Sequence, residues 1–366
     1  MGFKCGIVGL PNVGKSTLFN ALTENTSAES ANYPFCTIEP NIGNVIVPDF
    51  RLNELAAIAK SKKIIPTQMQ FVDIAGLVSG ASKGEGLGNQ FLAHIREVDA
   101  IIHVLRCFNN PDIVHVNNKV NPIADLEIIE TELILADISS LEKQMTSLKK
   151  KIRANDPDLK KLNDLMEKLL QHLSNGGKAI NFKTTTIDEQ ININGLNLLT
   201  SKPQLFVCNV SEEDVVDGNE YSKKVEQQNI NTETKVILIS SLIESEISML
   251  NDNDKLEFLQ DLNLKETGLT KLINSGYDLL DLITFFTVGE KEARAWTLKK
   301  GLTAPKAAGK IHTDFEKGFI RAETIGYKDF VNSNGEQGAK DLGKLRIEGS
   351  DYIVNDGDIF NFRFNV

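Results

Sequence analysis

The chain has 366 residues, of which 41% are hydrophobic and 25% are charged, and its formal net charge is −10. This composition is typical of a folded protein with two or three domains, and the acidic balance excludes a protein that coats nucleic acid through a generally basic surface. No signal-peptide region opens the sequence and no apolar run approaches the ~20 residues that span a bilayer, so we expect a cytoplasmic protein without a membrane partner. The four cysteines lie far apart, which predicts neither a disulfide framework nor a zinc site.

Six strand-like runs predict an α/β domain with a mainly parallel sheet, because amphipathic helical segments separate most of them. These runs are Lys4–Val8, Gly43–Val47, Met69–Asp73, Ala100–Arg106, Gln204–Asn209 and Lys235–Ser240.

A phosphate-binding P-loop follows the first of these runs. Residues 9–16 read GLPNVGKS and fit the pattern G-x-x-x-x-G-K-[ST] between a strand and a helix. Such a loop curls its backbone N–H groups around phosphate oxygens at a helix N-terminus. We expect Lys15 to reach the β- and γ-phosphates, Ser16 to ligate Mg²⁺ and Thr17 to support the phosphates nearer the sugar. The alternative is a strand-to-helix turn that binds nothing.

Two further segments are candidates for sensing the γ-phosphate. Residues 73–76 read DIAG and end a predicted strand, so Asp73 is expected to hold Mg²⁺ through water while the Gly76 N–H faces the terminal phosphate. Thr37 lies between the first helix and the second strand, where a switch threonine would complete the magnesium shell; the alternative is an ordinary loop threonine.

The residue after the DIAG segment is Leu77, where many related GTPases place the glutamine that orients the attacking water. An aliphatic side chain cannot orient water, so hydrolysis must use another polar group or be slow. Of the histidines that follow, we expect each of His94, His103 and His115 to be structural rather than catalytic. His115 lies in a loop-like stretch and is the best placed to move.

The motif that would read the base departs from that of guanine-specific proteins. Their corresponding strand ends in N-K-x-D, whereas residues 209–212 read NVSE. The lysine is absent, and the carboxylate of Glu212 is displaced by a methylene. Because a hydrogen-bonding site rejects poor matches strongly, the sequence predicts loss of guanine preference and acceptance of adenine. Ser240 and Ser241 would form the second base-side loop.

Between the fourth and fifth predicted strands a heptad pattern predicts an antiparallel coiled-coil hairpin. Apolar residues recur in steps of three and four, and residues 154–157 interrupt them with a proline-containing turn. The alternative is two ordinary helices packed on the body of the protein. Lysines and Arg153 cluster around the expected tip, which is either a solvated face or a contact for RNA or the ribosome. The apolar positions are Ile134, Ile138, Leu141, Met145, Leu148 and Ile152 in the first helix and Leu159, Leu162, Met166, Leu169 and Leu173 in the second.

From about Leu282 the pattern changes to short strands separated by turns rich in glycine and aspartate, which predicts a small α+β domain. The strands are expected at residues 284–288, 295–298, 319–323 and 359–364. The predicted division is therefore a P-loop domain at 1–125 and 200–280, a helical insertion at 126–199 and a separate domain at 281–366.

Motifs in residues 9–17, 34–41, 73–77, 82–89 and 209–212 occur in an order that resembles the YchF/Obg-like ATPases of the translation-factor P-loop class. The resemblance covers essentially the whole chain. It implies a helical hairpin inserted into the nucleotide domain and a C-terminal TGS domain of β-grasp type. It also implies a cytoplasmic protein that prefers ATP over GTP and associates with the ribosome.

The resemblance also implies roles for individual residues. Val210 is expected to contact adenine through its backbone, and a histidine at the position of His115 is implicated in hydrolysis, together with Lys15. The implied sites are ATP phosphates at Asn12, Val13, Gly14, Lys15, Ser16 and Thr17, γ-phosphate at Gly76, adenine at Asn209, Val210 and Glu212, and magnesium at Ser16, Thr37 and, through water, Asp73.

Our leading hypothesis is a Mg²⁺-dependent ATPase, acting as a monomer, whose nucleotide state changes how the hairpin and the TGS domain engage the ribosome, in particular the large subunit. The first alternative is a nucleotide-gated binding module for the ribosome or RNA in which hydrolysis is incidental. The second is a true GTPase that recovers guanine recognition through backbone contacts.

Overall fold

The computed structural model describes residues 2–30, 41–74, 86–113, 119–151, 156–230 and 234–365. Contacts between Cα atoms divide the chain into two compact units. The first contains residues 3–43 and 70–272, and the second contains residues 44–69 and 273–366.

Strands and helices alternate along much of the first unit, and the strands beyond residue 281 lie in the second. The strands are β1 (Lys4–Val8), β2 (Ile42–Ile46), β3 (Ile64–Ile65), β4 (Gln68–Asp73), β5 (Ala100–Arg106), β6 (Gln204–Asn209), β7 (Val236–Ile239), β8 (Leu282–Val288), β9 (Ala293–Lys299), β10 (Phe319–Gly326), β11 (Arg346–Glu348) and β12 (Asp358–Phe364). The helices are α1 (Lys15–Ser30), α2 (Phe50–Ala59), α3 (Gly86–Glu97), α4 (Pro122–Lys151), α5 (Pro157–Ser174), α6 (Ile187–Gly195), α7 (Glu220–Gln228), α8 (Ser241–Ser248), α9 (Asp252–Asp261), α10 (Gly268–Leu279), α11 (Ala304–Ile311), α12 (Thr313–Lys317), α13 (Tyr327–Asn332) and α14 (Glu336–Asp341).

A six-stranded sheet in the order β2-β4-β1-β5-β6-β7 forms the core of the nucleotide domain. The pairs β4–β1, β1–β5, β5–β6 and β6–β7 are all parallel. Every residue of β5 and of β6 is buried, which explains why these strands are mostly apolar rather than alternating between apolar and polar residues. The predicted parallel α/β fold is confirmed. Its parallel strands present their carboxyl ends at one edge of the sheet, where ligands bind in open α/β folds.

One polar residue in this core, His103 at the middle of β5, has no hydrogen-bond partner for either ring nitrogen among the described residues. Its ring is fully buried and meets the Phe206 ring edge-on at 5.4 Å between centroids. Burial lowers the pKa of the His103 imidazole to about 3, and the positive charge of Lys178 acts in the same direction. The native protein therefore holds this ring neutral.

We expect His103→Leu to raise the stability of the protein in acid. The unfolded chain takes up a proton on this histidine below pH ~6.5, whereas the folded chain does not until about pH 3. The group therefore lowers the free energy of unfolding as pH falls through this window, by about 2 kcal/mol at pH 5. Urea unfolding of both proteins at pH 7.5 and pH 5 measures the difference. His94→Leu on the exposed face of α3 is the control, and an equal change in both variants would contradict the assignment to the buried ring.

The helical insertion is a hairpin of α4 and α5, as the heptad pattern predicts. Asp156 starts α5 by accepting hydrogen bonds from the backbone of residues 158 and 159, each at 3.2 Å. The predicted seam forms, because Leu141, Met145, Met166, Leu169 and Leu173 share one buried cluster.

Two features of the insertion differ from a free two-helix hairpin. The first half of α4 packs on the sheet, since Leu126 belongs to the same cluster as Leu105 and Phe206. In addition, residues 179–198 cover the seam with Ala179, Ile193 and further apolar side chains. The N-terminal part of α4 thus packs on the sheet, and its C-terminal part packs against α5 in the hairpin. Residues 152–155, with Arg153 and Ile152, lie outside the described residues.

The second unit has its own sheet in the order β11-β10-β12-β8-β9-β3. The central strands β12 and β8 are parallel, and antiparallel pairs flank them on both sides. Helix α11 packs Ala304, Ala307 and Ala308 against one face. This arrangement is the predicted β-grasp fold.

One segment of the second unit is not expected from the sequence. The structure places residues 44–69 in this unit, whereas the sequence-based division has them in the P-loop domain. Helix α2 packs Leu52, Leu55 and Ala56 against the opposite face of the β-grasp sheet, and the two-residue strand β3 pairs with β9. Such long-range packing leaves no local signal in the sequence.

Among the helices that the structure describes, none combines the length and apolarity needed to cross a membrane.

Candidate nucleotide-binding site

The P-loop connects the carboxyl end of β1 to the first turn of α1. Gly14 adopts φ +91°, and its carbonyl accepts the first hydrogen bond of the helix from Leu18 N at 3.0 Å. A Cβ atom at this position would lie 2.1 Å from Nδ2 of Asn209. Glycine is therefore required both by the backbone conformation and by the close approach of Asn209.

The Lys15 ammonium contacts the Asp73 carboxylate. The side chains are 10% and 16% exposed, and the two residues are 58 positions apart in the chain. Lys15 opens α1 and Asp73 closes β4, so the topology brings the P-loop and the first residue of the DIAG segment together. The predicted phosphate-binding lysine and the predicted magnesium-linked carboxylate thus lie in contact.

The residues at this position suit a magnesium ion. Mg²⁺ prefers oxygen ligands and keeps several waters, so it usually takes only one or two protein groups beside the phosphates of a nucleotide. The Ser16 hydroxyl and the Asp73 carboxylate are such groups, and Asp73 already faces a positive charge in the form of Lys15. No cluster of three or more His, Cys, Asp or Glu residues that could hold a metal occurs within the described ranges, and a site of this kind does not need one.

Asn209, at the end of β6, joins the P-loop to the base-side loops. Its Nδ2 donates to the Val13 carbonyl at 2.8 Å, and its Oδ1 accepts from the Ser241 backbone N–H at 2.9 Å. All three residues are buried. One amide therefore sets the distance between the phosphate loop, the end of β6 and the start of α8.

A cavity of about 930 Å³ opens beside this amide. It is large enough for a nucleotide, since small-molecule sites in proteins are about 300–1,000 Å³. It brings together predicted site residues from the P-loop and from the NVSE segment, with the base-side loop after β7. The lining residues are Asn12, Gly14, Thr17, Phe108, Asn109, Asn110, Ile113, Asn209, Val210, Ser211, Glu212, Glu213, Ser240, Ser241 and Leu242.

The wall formed by residues 108–113 is absent from the sequence-based site. These residues match no motif, but they directly follow the carboxyl end of β5, and that position in a parallel sheet is a signal for ligand contact. Four further predicted residues, Thr37, Gly76, Leu77 and His115, lie outside the described residues.

Comparison with known proteins places this geometry in a family. Residues 4–136 match the family described as "50S ribosome-binding GTPase", and residues 282–365 match the YchF C-terminal family, described as "Protein of unknown function (DUF933)". The protein named ribosome-binding ATPase YchF of Pasteurella multocida is 56% identical over 366 residues, which cover 100% of both chains. The chain belongs to the YchF family.

Relatives in other bacteria and a solved structure agree with this assignment. The proteins of the same name from Escherichia coli O157:H7 and Bacillus subtilis are 54% and 51% identical, each over 100% of both chains. The structure of the Schizosaccharomyces pombe YchF GTPase superposes with a TM-score of 0.90 at 39% identity, covering 99% of this chain and 98% of that one. The YchF fold therefore extends through the hairpin and the β-grasp unit.

Proposed function

We propose that this YchF-family protein is a Mg²⁺-dependent ATP hydrolase that prefers ATP over GTP, binds the ribosome as a monomer and changes that association with its nucleotide state. The observation that supports the proposal is the contact between Lys15 and Asp73, together with the Asn209 side chain that links the P-loop to a cavity of nucleotide size.

In this proposal the backbone N–H groups of residues 12–17 and the Lys15 ammonium hold the phosphates. Ser16 and Thr37 would bind the magnesium ion directly, and Asp73 would hold it through water. The Gly76 N–H reads the γ-phosphate. Magnesium neutralises charge that develops on the transferred phosphoryl group.

The preference for adenine is proposed from the NVSE segment, whose residues Asn209, Val210 and Glu212 line the cavity. Val210 stands where guanine-specific proteins have lysine, and its backbone N–H already donates to the Ile239 carbonyl at 2.9 Å. The Val210 carbonyl is therefore the backbone group that we propose for a contact with the base, and Glu212 has a longer side chain than the usual aspartate.

The ribosome as partner is proposed from the names of the relatives and from the charge of the hairpin. Lys149, Lys150, Lys160 and Lys161 are exposed near the turn between α4 and α5. A local group of lysines can contact RNA even though the whole chain is acidic. The β-grasp unit is the second proposed contact.

Direct binding measurements test the proposal. The full chain is titrated with ATP and GTP in the presence of Mg²⁺ and again with EDTA, and phosphate release is followed with each nucleotide. We expect at least tenfold tighter binding of ATP and loss of turnover with EDTA. Tighter binding of GTP would overturn the adenine assignment.

Co-sedimentation with ribosomes in the presence of ATP, ADP or no nucleotide tests the proposed partner. Equal binding to ribosomes in all three states would contradict nucleotide control.

A nucleotide-gated binding module with incidental hydrolysis is the second candidate, and Leu77 favours it because it removes the usual water-orienting glutamine. His115 is the proposed replacement group in the leading mechanism. A His115→Ala variant that binds ATP, does not hydrolyse it and still associates normally with ribosomes would favour the binding module.

A further inference from the structure

A buried arginine, Arg106, holds the cavity wall formed by residues 108–113, which match no sequence motif. Arg106 is the last residue of β5 and is 1% exposed. Its guanidinium donates to three backbone carbonyls, those of Phe108 at 3.2 Å, Asn110 at 3.1 Å and Ile113 at 3.0 Å. All three acceptors lie in the single loop that forms one wall of the nucleotide cavity.

The guanidinium also lies against the face of Phe108, with 4.8 Å between its central carbon and the ring centroid. A guanidinium presents five donors in a fixed planar fork, so it can satisfy several carbonyls of one loop at once and restrict their relative positions. A lysine ammonium is a compact point charge on a flexible stem. Arginine is thus the side chain whose several fixed donors can bond all three carbonyls at once.

Two residues near the start of α7 also hold this loop and the residue that precedes it. Asn219 Nδ2 donates to the Cys107 carbonyl at 2.7 Å, and the Asn109 amide lies 3.1 Å from the Tyr221 hydroxyl. Cys107, the residue just before the loop, donates its backbone N–H to the Asn209 carbonyl at 2.8 Å. The loop is therefore fixed relative to Asn209, which also contacts the P-loop.

We propose that Arg106 is a positioning residue for nucleotide binding, which holds the loop at residues 108–113 as the base-side wall of the cavity. It does not touch the phosphates, and it acts through the loop carbonyls. The inference rests on the proposed function insofar as the ligand is a nucleoside triphosphate. It predicts that Arg106 contributes to the binding of nucleosides but not to the binding of phosphate groups alone.

The test compares two ligands on the full chain. ATP uses both the P-loop and the base-side wall, whereas inorganic tripolyphosphate uses only the P-loop. For Arg106→Met we expect the Kd for ATP to rise at least tenfold and the Kd for tripolyphosphate to change less than twofold. Arg106→Lys, which keeps the charge and loses the fork, is expected to lie between the wild type and Arg106→Met.

Asp137→Asn is the matched control for loss of a buried charge. Asp137 is also buried, and it accepts from the backbone N–H groups of Leu199 at 2.7 Å and Thr200 at 2.8 Å, but it does not line the cavity. We expect this variant to be less stable and to bind both ligands as the wild type does.

Tyr221→Phe keeps the test decisive if Arg106→Met does not fold. It removes only the hydroxyl beside Asn109, and we expect a two- to threefold rise in the Kd for ATP with no change in the Kd for tripolyphosphate.

Two results would overturn the inference. One is an ATP affinity within twofold of wild type in folded Arg106 variants, and the other is an equal loss of affinity for ATP and for tripolyphosphate. If the wild type prefers GTP, the proposed ATPase fails, and the same comparison with GTP still decides the role of Arg106.

Discussion

Replacing Lys15 by alanine is expected to reduce phosphate release from ATP by at least about 100-fold, the loss that follows removal of one aligned charge-stabilising group from an active site. Lys15 is 9% exposed and contacts Asp73, so its ammonium is held at the P-loop before a nucleotide binds. The variant loses the charge that we propose to stabilise the β- and γ-phosphates, and the Asp73 carboxylate loses its Lys15 partner. Single-turnover hydrolysis at saturating ATP separates the loss of chemistry from the loss of affinity.

Lys202→Ala is the control for Lys15→Ala. Lys202 is another partly buried lysine of the same unit, and it donates to the Arg96 carbonyl at 3.0 Å and to the Val98 carbonyl. We expect it to affect stability and to leave turnover unchanged. Hydrolysis by Lys15→Ala at more than a tenth of the wild-type rate would exclude this P-loop as the hydrolytic site.

Asn209→Asp is expected to weaken ATP binding by about 100-fold while the side-chain shape is preserved. The Nδ2 atom that donates to Val13 O at 2.8 Å becomes a carboxylate oxygen facing a carbonyl, so a hydrogen bond becomes a repulsive contact between buried acceptors. Leaving buried polar groups unpaired costs about 1–3 kcal/mol for neutral groups and more for charged ones. The bond from Ser241 N to Oδ1 is retained. The P-loop is therefore expected to move relative to the base-side loop without disruption of α8.

Isothermal titration with ATP and ADP measures the effect. Because the defect lies in the link between phosphate and base sites, both nucleotides are expected to lose affinity to a similar extent. Asn197→Asp carries the same charge change at an exposed position with φ +51°, which aspartate tolerates. Comparable losses in the two variants would show that net charge, rather than the Asn209 bridge, determines affinity.

The fold could be predicted where local patterns carry the information. The mostly apolar runs at residues 100–106 and 204–209 mark buried parallel strands, and the heptad from Leu141 to Leu173 marks the hairpin seam. The β-grasp strands are longer in the structure than in the prediction, and β3 and β11 are missing from it. Strands of two or three residues contain too few positions to show alternation.

The candidate site likewise has one part that the sequence predicts and one part that it does not. The P-loop is a contiguous segment whose spacing reflects its own backbone geometry, so its sequence alone identifies it. The wall held by Arg106 is different, because its role depends on carbonyl groups, and every residue type carries a carbonyl. The side chains of residues 107–113 show no pattern that predicts that this loop faces the cavity.

The sequence by itself determined that the chain carries a P-loop, the succession of strands and helices around it, the hairpin and a small α+β domain at the C-terminal end, because each depends on spacing within a short segment. Tertiary structure alone decided which distant residues meet. Asn209 reaches Val13 across 196 positions, Lys15 reaches Asp73 across 58, and residues 44–69 join the β-grasp unit. These contacts form because parallel strands bring their carboxyl ends to one edge and because buried apolar faces must find partners, and both conditions are met only when the whole chain is folded.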